Sequence, residues 1–518
     1  MGKTLKIALI AFGLAAVLAV ISNFYDGDLG WHLRFGQEAW AGHFPYLNTW
    51  SWPAYGQPWV NHEWGGDLIY WFLYQRWGFL SLAALASAGV LAAFLLVQKI
   101  FFKKLTAFDF LMAVIFIGAI KFTLAARLTV VAPLFFAWLW LTLEKLPERK
   151  NYFYFWPLIL WLWSTLHGSW ILGFIVINIY IIGNALSLLF PSLAGKLSNW
   201  NWRMIKQALF WQIISAGIVC LNPYGLKIWS EVGAYFTEGY YKNYITEWLP
   251  SYAYPVYVWP LVIAGAAVVF IFIGWKKKTI SLTQIFLFLA FFVSAMQYKR
   301  NNIYLALICL PLLTSVLKTA GEKIKKAQPR FGAACPRFGR PLLLAAVLAG
   351  LIFFSGKIKL VNDVFQNEAL VAANGFPYHA IEFMKQKIGE KKTYLFNDFN
   401  WGGHIVWTLP NALVYLDGRG TATWRWSEQE TALEHYRKIK YETGGLAEIE
   451  NGPTEYIFLK KPRPPFAAPD RINRLIFSED DFKKIFTVES VQLIEDLKKS
   501  ASWRLIYEDE LSLIWKRQ

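Results

Sequence analysis

Two aspartates two residues apart, Asp26 and Asp28, stand in the stretch Tyr25-Asp26-Gly27-Asp28-Leu29-Gly30-Trp31-His32-Leu33-Arg34, directly after an apolar run from Leu5 to Phe24. A carboxylate at a lipid boundary is costly unless paired, hydrogen-bonded or metal-bound, so acids placed there are functional candidates. Such carboxylates can take a proton from an attacking hydroxyl or hold a divalent cation. A solvated loop after a helix would show Asp and Gly as well. The remainder of the loop favours function. It runs through Gly42-His43-Phe44-Pro45 and Asn48-Thr49-Trp50-Ser51 to Gly56-Gln57-Pro58-Trp59-Val60-Asn61-His62-Glu63-Trp64. About 40 residues is far more than a helix connection needs, and this one holds three of the chain's seven histidines.

The elements that must position these groups are membrane spans. Of 518 residues, 56% are hydrophobic and 18% aromatic, against an apolar fraction of about 45–50% in ordinary soluble domains. The excess lies in runs able to cross a bilayer, which takes roughly 17–25 apolar residues. Many of the 27 tryptophans sit at the ends of those runs, where indoles prefer the headgroup region. Spans are expected at about 5–24, 79–100, 107–121, 129–144, 153–167, 170–190, 206–221, 256–274, 280–297, 302–318 and 341–356, eleven in all.

Charge tests the alternation. Lys3 and Lys6 precede the first run, which reads as an uncleaved anchor with a cytoplasmic start. Predicted inner loops carry Lys99, Lys103 and Lys104; Lys145, Arg149 and Lys150; Lys196, Arg203 and Lys206; Lys276 to Lys278; and a group from Lys318 to Arg340. Predicted outer loops are poorer in Lys and Arg, as the positive-inside rule requires. The parity depends on a turn at His167 and Gly168. The net charge of +17 is thereby assigned to orientation and anionic lipid, not to nucleic acid. Cys220 and Cys309 lie in apolar segments and Cys335 in a basic loop, which excludes a disulfide framework or a zinc spacing.

After residue 357 the long apolar runs stop. Short β-rich segments appear at 393–396, 413–416, 456–459, 503–508 and 511–515, with helix-like stretches at 379–388, 427–440 and 480–499. Alternation of this kind predicts a small α/β domain with a mixed sheet, and roughly 160 residues can bury a core of their own. The expected organisation is a transmembrane domain at 1–356, containing the outer loop 25–65, and an extracytoplasmic α/β domain at 357–518.

The pattern D-x-D-x-x-W-H-L-x-x-G, followed by a Pro, an N-T-x-S-like stretch, G-x-P-W and H-E-W, resembles a bacterial branch of the GT-C superfamily of polyprenyl-phosphate-sugar-dependent glycosyltransferases. Asn222-Pro223-Tyr224-Gly225, Thr246-Glu247-Trp248, Lys299-Arg300-Asn301, Asn397 to Gly403 and Asp417-Gly418-Arg419 extend the resemblance over nearly the whole chain. It implies a polytopic α-helical fold of GT-C type in the inner membrane of a bacterium, a lipid-linked sugar donor, and a glycan, lipid or protein acceptor outside. By the family's pattern Asp26 is the base and Asp28 supports it, or with Glu63 holds Mg2+ or Mn2+.

Arg127, Lys299 and Arg300 fall at predicted outer helix ends, where they would meet the lipid phosphate or simply reach the interface. His32, His62 and Glu63 are candidates to orient donor or acceptor, with a hydrogen-bonded loop as the alternative. His167 reads as structural, and Asn397 to Gly403 as a turn and cap. A lipid-linked glycan polymerase or ligase, a transporter and a scaffold are the rival functions. No internal repeat of the kind transporters show is evident.

Overall fold

The computed structural model describes residues 3–21, 27–120, 123–125, 127–193, 196, 199–251, 258–276, 278, 280–327, 375–462 and 491–518. The chain divides into two compact units. One contains residues 1–24, 79–228 and 247–362, the other residues 25–78, 229–246 and 363–518. The long first loop thus groups with the C-terminal residues, where the sequence reading kept it with the spans.

Helices run in the order α1 (Lys3–Ile21), α2 (Leu29–Trp40), α3 (Trp64–Phe101), α4 (Ala107–Ile120), α5 (Ala132–Lys145), α6 (Phe155–Leu166), α7 (Ile171–Leu189), α8 (Trp202–Val219), α9 (Lys227–Thr237), α10 (Val258–Lys276), α11 (Leu282–Gln297) and α12 (Asn302–Ala327). Ten of the eleven expected spans coincide with helices, and the eleventh, 341–356, lies outside the described residues. By length and hydropathy alone, four described segments qualify as membrane-crossing: Thr4–Ile21, Trp64–Phe101, Gly168–Leu189 and Lys299–Thr319.

In the first unit, helix packing follows small residues. α1 buries Ala8, Ala11, Ala15, Ala16 and Ala19 and packs on α4, with Phe12 against Phe110. Without a hydrophobic drive between helices in lipid, such residues gain from close backbone approach. α7 meets α11 at Gly183, where an added Cβ would press on Thr283. The turn at His167 is real. His167 has φ −165° and ψ 139°, and its ring accepts from Ser169 N at 3.0 Å. A Cβ on Gly173 would strike Leu160 and Trp163, residues about 15–20 Å away along one continuous helix. Gly78, with φ 59° and ψ −158°, breaks α3 in a conformation only glycine adopts readily. The division between the units falls at the same residue.

The second unit is built on a five-stranded sheet. Its elements are α13 (Tyr378–Ile388), β1 (Thr393–Asn397), α14 (Gly402–Thr408), β2 (Ala412–Leu413), α15 (Ala432–Tyr441), α16 (Gly445–Glu450), β3 (Tyr456–Lys460), α17 (Gln492–Lys499), β4 (Trp503–Glu508) and β5 (Ser512–Arg517). The strand order is β2-β1-β3-β5-β4, with β1 parallel to both β2 and β3 and the other two pairings antiparallel. β3 is buried on both faces, which explains why YIFL reads as a continuous apolar run.

Residues 413–416, expected as a strand, leave the sheet after Leu413 because other groups take their backbone. The Asn397 side chain accepts from Tyr415 N at 2.8 Å. Val414 N donates to Trp50 O and Trp52 N to Val414 O, both at 3.0 Å, so the first loop forms a parallel bridge at the sheet's edge. Asn48 shapes the loop for this: its buried amide donates to Ser51 Oγ at 2.6 Å and to Ala54 O at 2.8 Å.

α2 and α14 cross with backbones in contact. A Cβ on Gly30 would land on the Gly403 carbonyl, one on Gly403 on the Gly27 carbonyl, and one on Gly27 on the Asn400 carbonyl. The glycines of D-G-D-L-G and N-W-G-G are therefore one interlocked contact. Gly403→Ala is expected to cost about 1–3 kcal/mol through overpacking, read as a lower unfolding midpoint in detergent. Gly233→Ala, with nothing within 4 Å of its added Cβ, should show no such loss.

Candidate functional site

Two clusters of charged side chains emerge, one in each unit. In the second unit, α2 starts directly after Asp28, so its first turn carries Trp31 and His32 back past the aspartate. Trp31 Nε1 donates to Asp28 Oδ1 at 3.1 Å. The Asp28 carboxylate lies against Gly418, where any side chain would collide with it. Trp31 and His32 have ring centroids 3.6 Å apart.

His32 is 2% exposed. Its Nδ1 lies 2.6 Å from Asp67 Oδ1 and its Nε2 3.3 Å from Glu63 Oε2. Asn61 completes the arrangement, donating to Asp67 Oδ2 at 2.6 Å and accepting from Glu63 N at 2.9 Å. Burial by itself lowers the imidazole pKa. The Asp67 carboxylate, through charge and hydrogen bond, and then Glu63 and Asp28 outweigh it, and His32 is raised to about 9. His32 is accordingly an imidazolium at neutral pH with both N–H groups directed at carboxylates. His62 meets the Tyr235 ring edge-on at 6.0 Å. Asp26 lies outside the described residues.

Asp417-Gly418-Arg419 is more than a turn. Arg419 Nε and Nη2 donate to Asp417 at 2.8 and 2.6 Å, and both side chains are fully buried. The guanidinium carbon sits 4.4, 4.6 and 4.9 Å from the ring centroids of Trp50, Trp59 and Trp424. Asn397 to Gly403 serves as turn and cap: Asp398 accepts from Asn400 N at 3.2 Å and pairs with Lys440 at 2.8 Å.

In the first unit, Arg127, Lys299 and Arg300 gather around Glu247. Arg127 Nη2 donates to Glu247 Oε2 at 2.7 Å, and Arg300 Nη1 to Oε1 at 3.1 Å. Arg300 also stacks on Trp248, 4.5 Å from its centroid. Burial works to raise the Glu247 pKa, but Arg300, Arg127 and Lys299 hold it down at about 2. Asn301 and Asn302 shape the turn that presents the cations, donating to Ser294 Oγ at 2.7 Å and Lys299 O at 2.9 Å. In Asn222-Pro223-Tyr224-Gly225, Asn222 closes a turn by accepting from Tyr224 N at 2.7 Å, with Gly225 at φ 59°.

The described residues contain no group of three or more His, Cys, Asp or Glu placed to bind a metal ion. Of the two expected ligands, Asp28 accepts from Trp31 and Glu63 faces an imidazolium. They do not by themselves assemble a site for Mg2+ or Mn2+, which need about six oxygen ligands including water.

Sequence reasoning missed Asp67 and Asn61 and found no chemistry for Glu247. Asp67 had a signal: it lies four residues after Glu63, which places both acids on one helical face. Glu231 had none. Its carboxyl, paired with Thr423, is pushed by burial to about 8, yet it reads as one polar position of an amphipathic helix.

The His32 pair has a pH signature. An unfolded histidine titrates near 6.5, so the stability it contributes is fully present below about 6.5, declines as pH rises, and is gone above about 9. Unfolding midpoints measured from pH 6 to 10 should show His32→Gln less stable than wild type at the acid end, with the gap closing towards pH 10.

No family model matches the sequence, and no curated protein matches it significantly. Solved structures share the fold. The oligosaccharyltransferase AglB of Archaeoglobus fulgidus, in complex with an inhibitory peptide and a dolichol-phosphate, aligns at TM-score 0.55 and 12% identity over 88% of this chain and 69% of its own. The same enzyme with Zn and sulfate gives TM-score 0.50 at 12% identity over 88% and 68%. ArnT of Cupriavidus metallidurans, bound to undecaprenyl phosphate, aligns at TM-score 0.53 and 9% identity over 99% of this chain and 97% of its own. One of the two was thus solved with a dolichol-phosphate and the other with undecaprenyl phosphate.

Proposed function

We propose that this chain, which carries the GT-C fold, transfers a sugar from a polyprenyl-phosphate-linked donor to an acceptor on the outer face of the membrane, with inversion at the anomeric carbon. The observation that carries this reading most is the fold shared along 99% of the chain with a protein solved on an anionic polyprenyl lipid. The Asp-x-Asp that follows the first apolar helix supports it from the sequence side.

Asp26 is the base. It takes the acceptor hydroxyl's proton as that oxygen attacks the anomeric carbon, and the bond from that carbon to the phosphate oxygen breaks. The electron pair leaves with the phosphate, producing free polyprenyl phosphate. Arg127, Lys299 and Arg300 neutralise the charge that develops there. Asp28 supports Asp26. His32, clamped by Glu63 and Asp67, orients Trp31 and so Asp28, while His62 bears on donor or acceptor placement. The protein sits as a multi-pass protein in a bacterial inner membrane, with its N-terminus cytoplasmic and its sheet-bearing region outside, in keeping with its lysine-rich inner loops.

The direct measurement is release of free polyprenyl phosphate, followed by mass spectrometry, from purified protein given a panel of polyprenyl-phosphate sugars and envelope extract as acceptor. Wild type should release it from at least one donor, and Asp26→Asn should reduce release by about a thousandfold or more, within the 10²–10⁴ range for a general base, without loss of expression. Equal release by the variant would remove Asp26 from the mechanism.

A further inference from the structure

Glu247 presents a puzzle for a site meant to bind phosphate. It is an anion set among the three cations expected to meet that phosphate, and it uses an N–H of each arginine, through Oε2 to Arg127 and Oε1 to Arg300. Its side chain is 33% exposed. Lys299 faces the same carboxylate. Among the described residues, three cations and one anion give the cluster a net charge of +2.

That net charge has a chemical counterpart. A polyprenyl-phosphate-linked sugar is a phosphodiester with one negative charge. Breaking the sugar–phosphate bond leaves a phosphomonoester, which carries about −1.5 to −2 at neutral pH. A +2 cluster matches the monoester and the transition state leading to it, better than it matches the donor. Without Glu247 the cluster would stand at +3, and the departing lipid would be held more tightly than turnover requires.

We infer that Glu247 is a resident stand-in for the substrate's phosphate: it occupies Arg127 and Arg300 when the site is empty and limits how tightly the released polyprenyl phosphate is held. This rests on the reading that these cations receive the lipid phosphate. Glu247 is then a tuning residue, touching the cations and not the reacting atoms. Its removal strengthens product binding and slows turnover, whereas a merely structural Glu247 would weaken binding when removed.

The test is the affinity of the full-length protein in nanodiscs for a polyprenyl monophosphate, with the uncharged polyprenol as control. Glu247→Gln should bind the monophosphate roughly three- to tenfold more tightly, the scale of one like-signed charge removed from about 4 Å away in water-like surroundings, with polyprenol binding unchanged and kcat lowered. Glu247→Asp, which keeps the charge and covers the case in which the glutamine variant does not fold, should stay within about threefold of wild type. Weaker or unchanged binding by Glu247→Gln, or a large loss in Glu247→Asp, overturns the inference. Arg127→Gln and Arg300→Gln separate the two levels. If they bind the monophosphate as wild type does, the phosphate reading of the cluster itself fails. If they lose binding while Glu247→Gln gains none, only the stand-in role fails.

Discussion

Arg419 carries a full charge into a place where water does not reach, and the second unit is arranged around neutralising it. Leaving one partner of a buried pair unmatched costs about 3–5 kcal/mol, and Asp417 meets this with two parallel hydrogen bonds from two residues away. The rest of the enclosure is aromatic, and two of its three rings, Trp50 and Trp59, belong to the first loop. The cage closes only when that loop lies on the C-terminal residues. Once it does, Gly418 lies against the Asp28 carboxylate and Ser51 is in register with Val414. Lysine would not serve at Arg419, because a point charge cannot make the planar two-bond contact while stacking on rings. Trp50 extends the arrangement, lying 4.8 Å from Arg34 and donating to Glu38, which also accepts from Arg34.

Much of the fold could be read along the chain because it rests on local signals. Apolar runs placed helices at ten expected spans, and the short β-rich segments 393–396, 456–459 and 503–508 became β1, β3 and β4. Where the reading departed from the structure, the deciding partner was distant in sequence. Residues 413–416 read as a strand, but Trp50 and Asn397 claimed their backbone groups. The loop 25–65 read as part of the membrane domain because it follows a span, while Asn400 and Gly403, whose backbone its glycines touch, come more than 370 residues later. Glycine in a loop is ordinarily a turn signal, and only the opposing backbone reveals a close approach.

The candidate site was legible as residue types more than as relationships. His32 was a candidate to orient donor or acceptor, yet both its nitrogens engage Glu63 and Asp67, the second of which lies 35 residues away. Lys299 and Arg300 looked like cations at a helix end, which they are, but the residue that organises them was the acid Glu247. Thr246-Glu247-Trp248 was part of the resemblance, but nothing in its composition or spacing says that the acid sits between cations.

The two clusters share a physical logic that neither shows alone. The first loop concentrates carboxylates, and like charges held close together repel one another. An imidazolium bonded to two of them reverses that pressure, and His32 is held in the charged state by the same acids it neutralises. The basic cluster has the inverse difficulty. Cations close together repel, spread apart and hold any anion too firmly to release it, and Glu247 counters all three by binding two of them at once. Each cluster therefore embeds one residue of the opposite sign, and in each the embedded residue makes the charge-assisted contacts that order its neighbours. A lipid phosphate that must be bound, activated and then released asks for such moderation: a maximal positive charge would favour only binding, and catalysis depends on the difference between the transition state and what precedes and follows it.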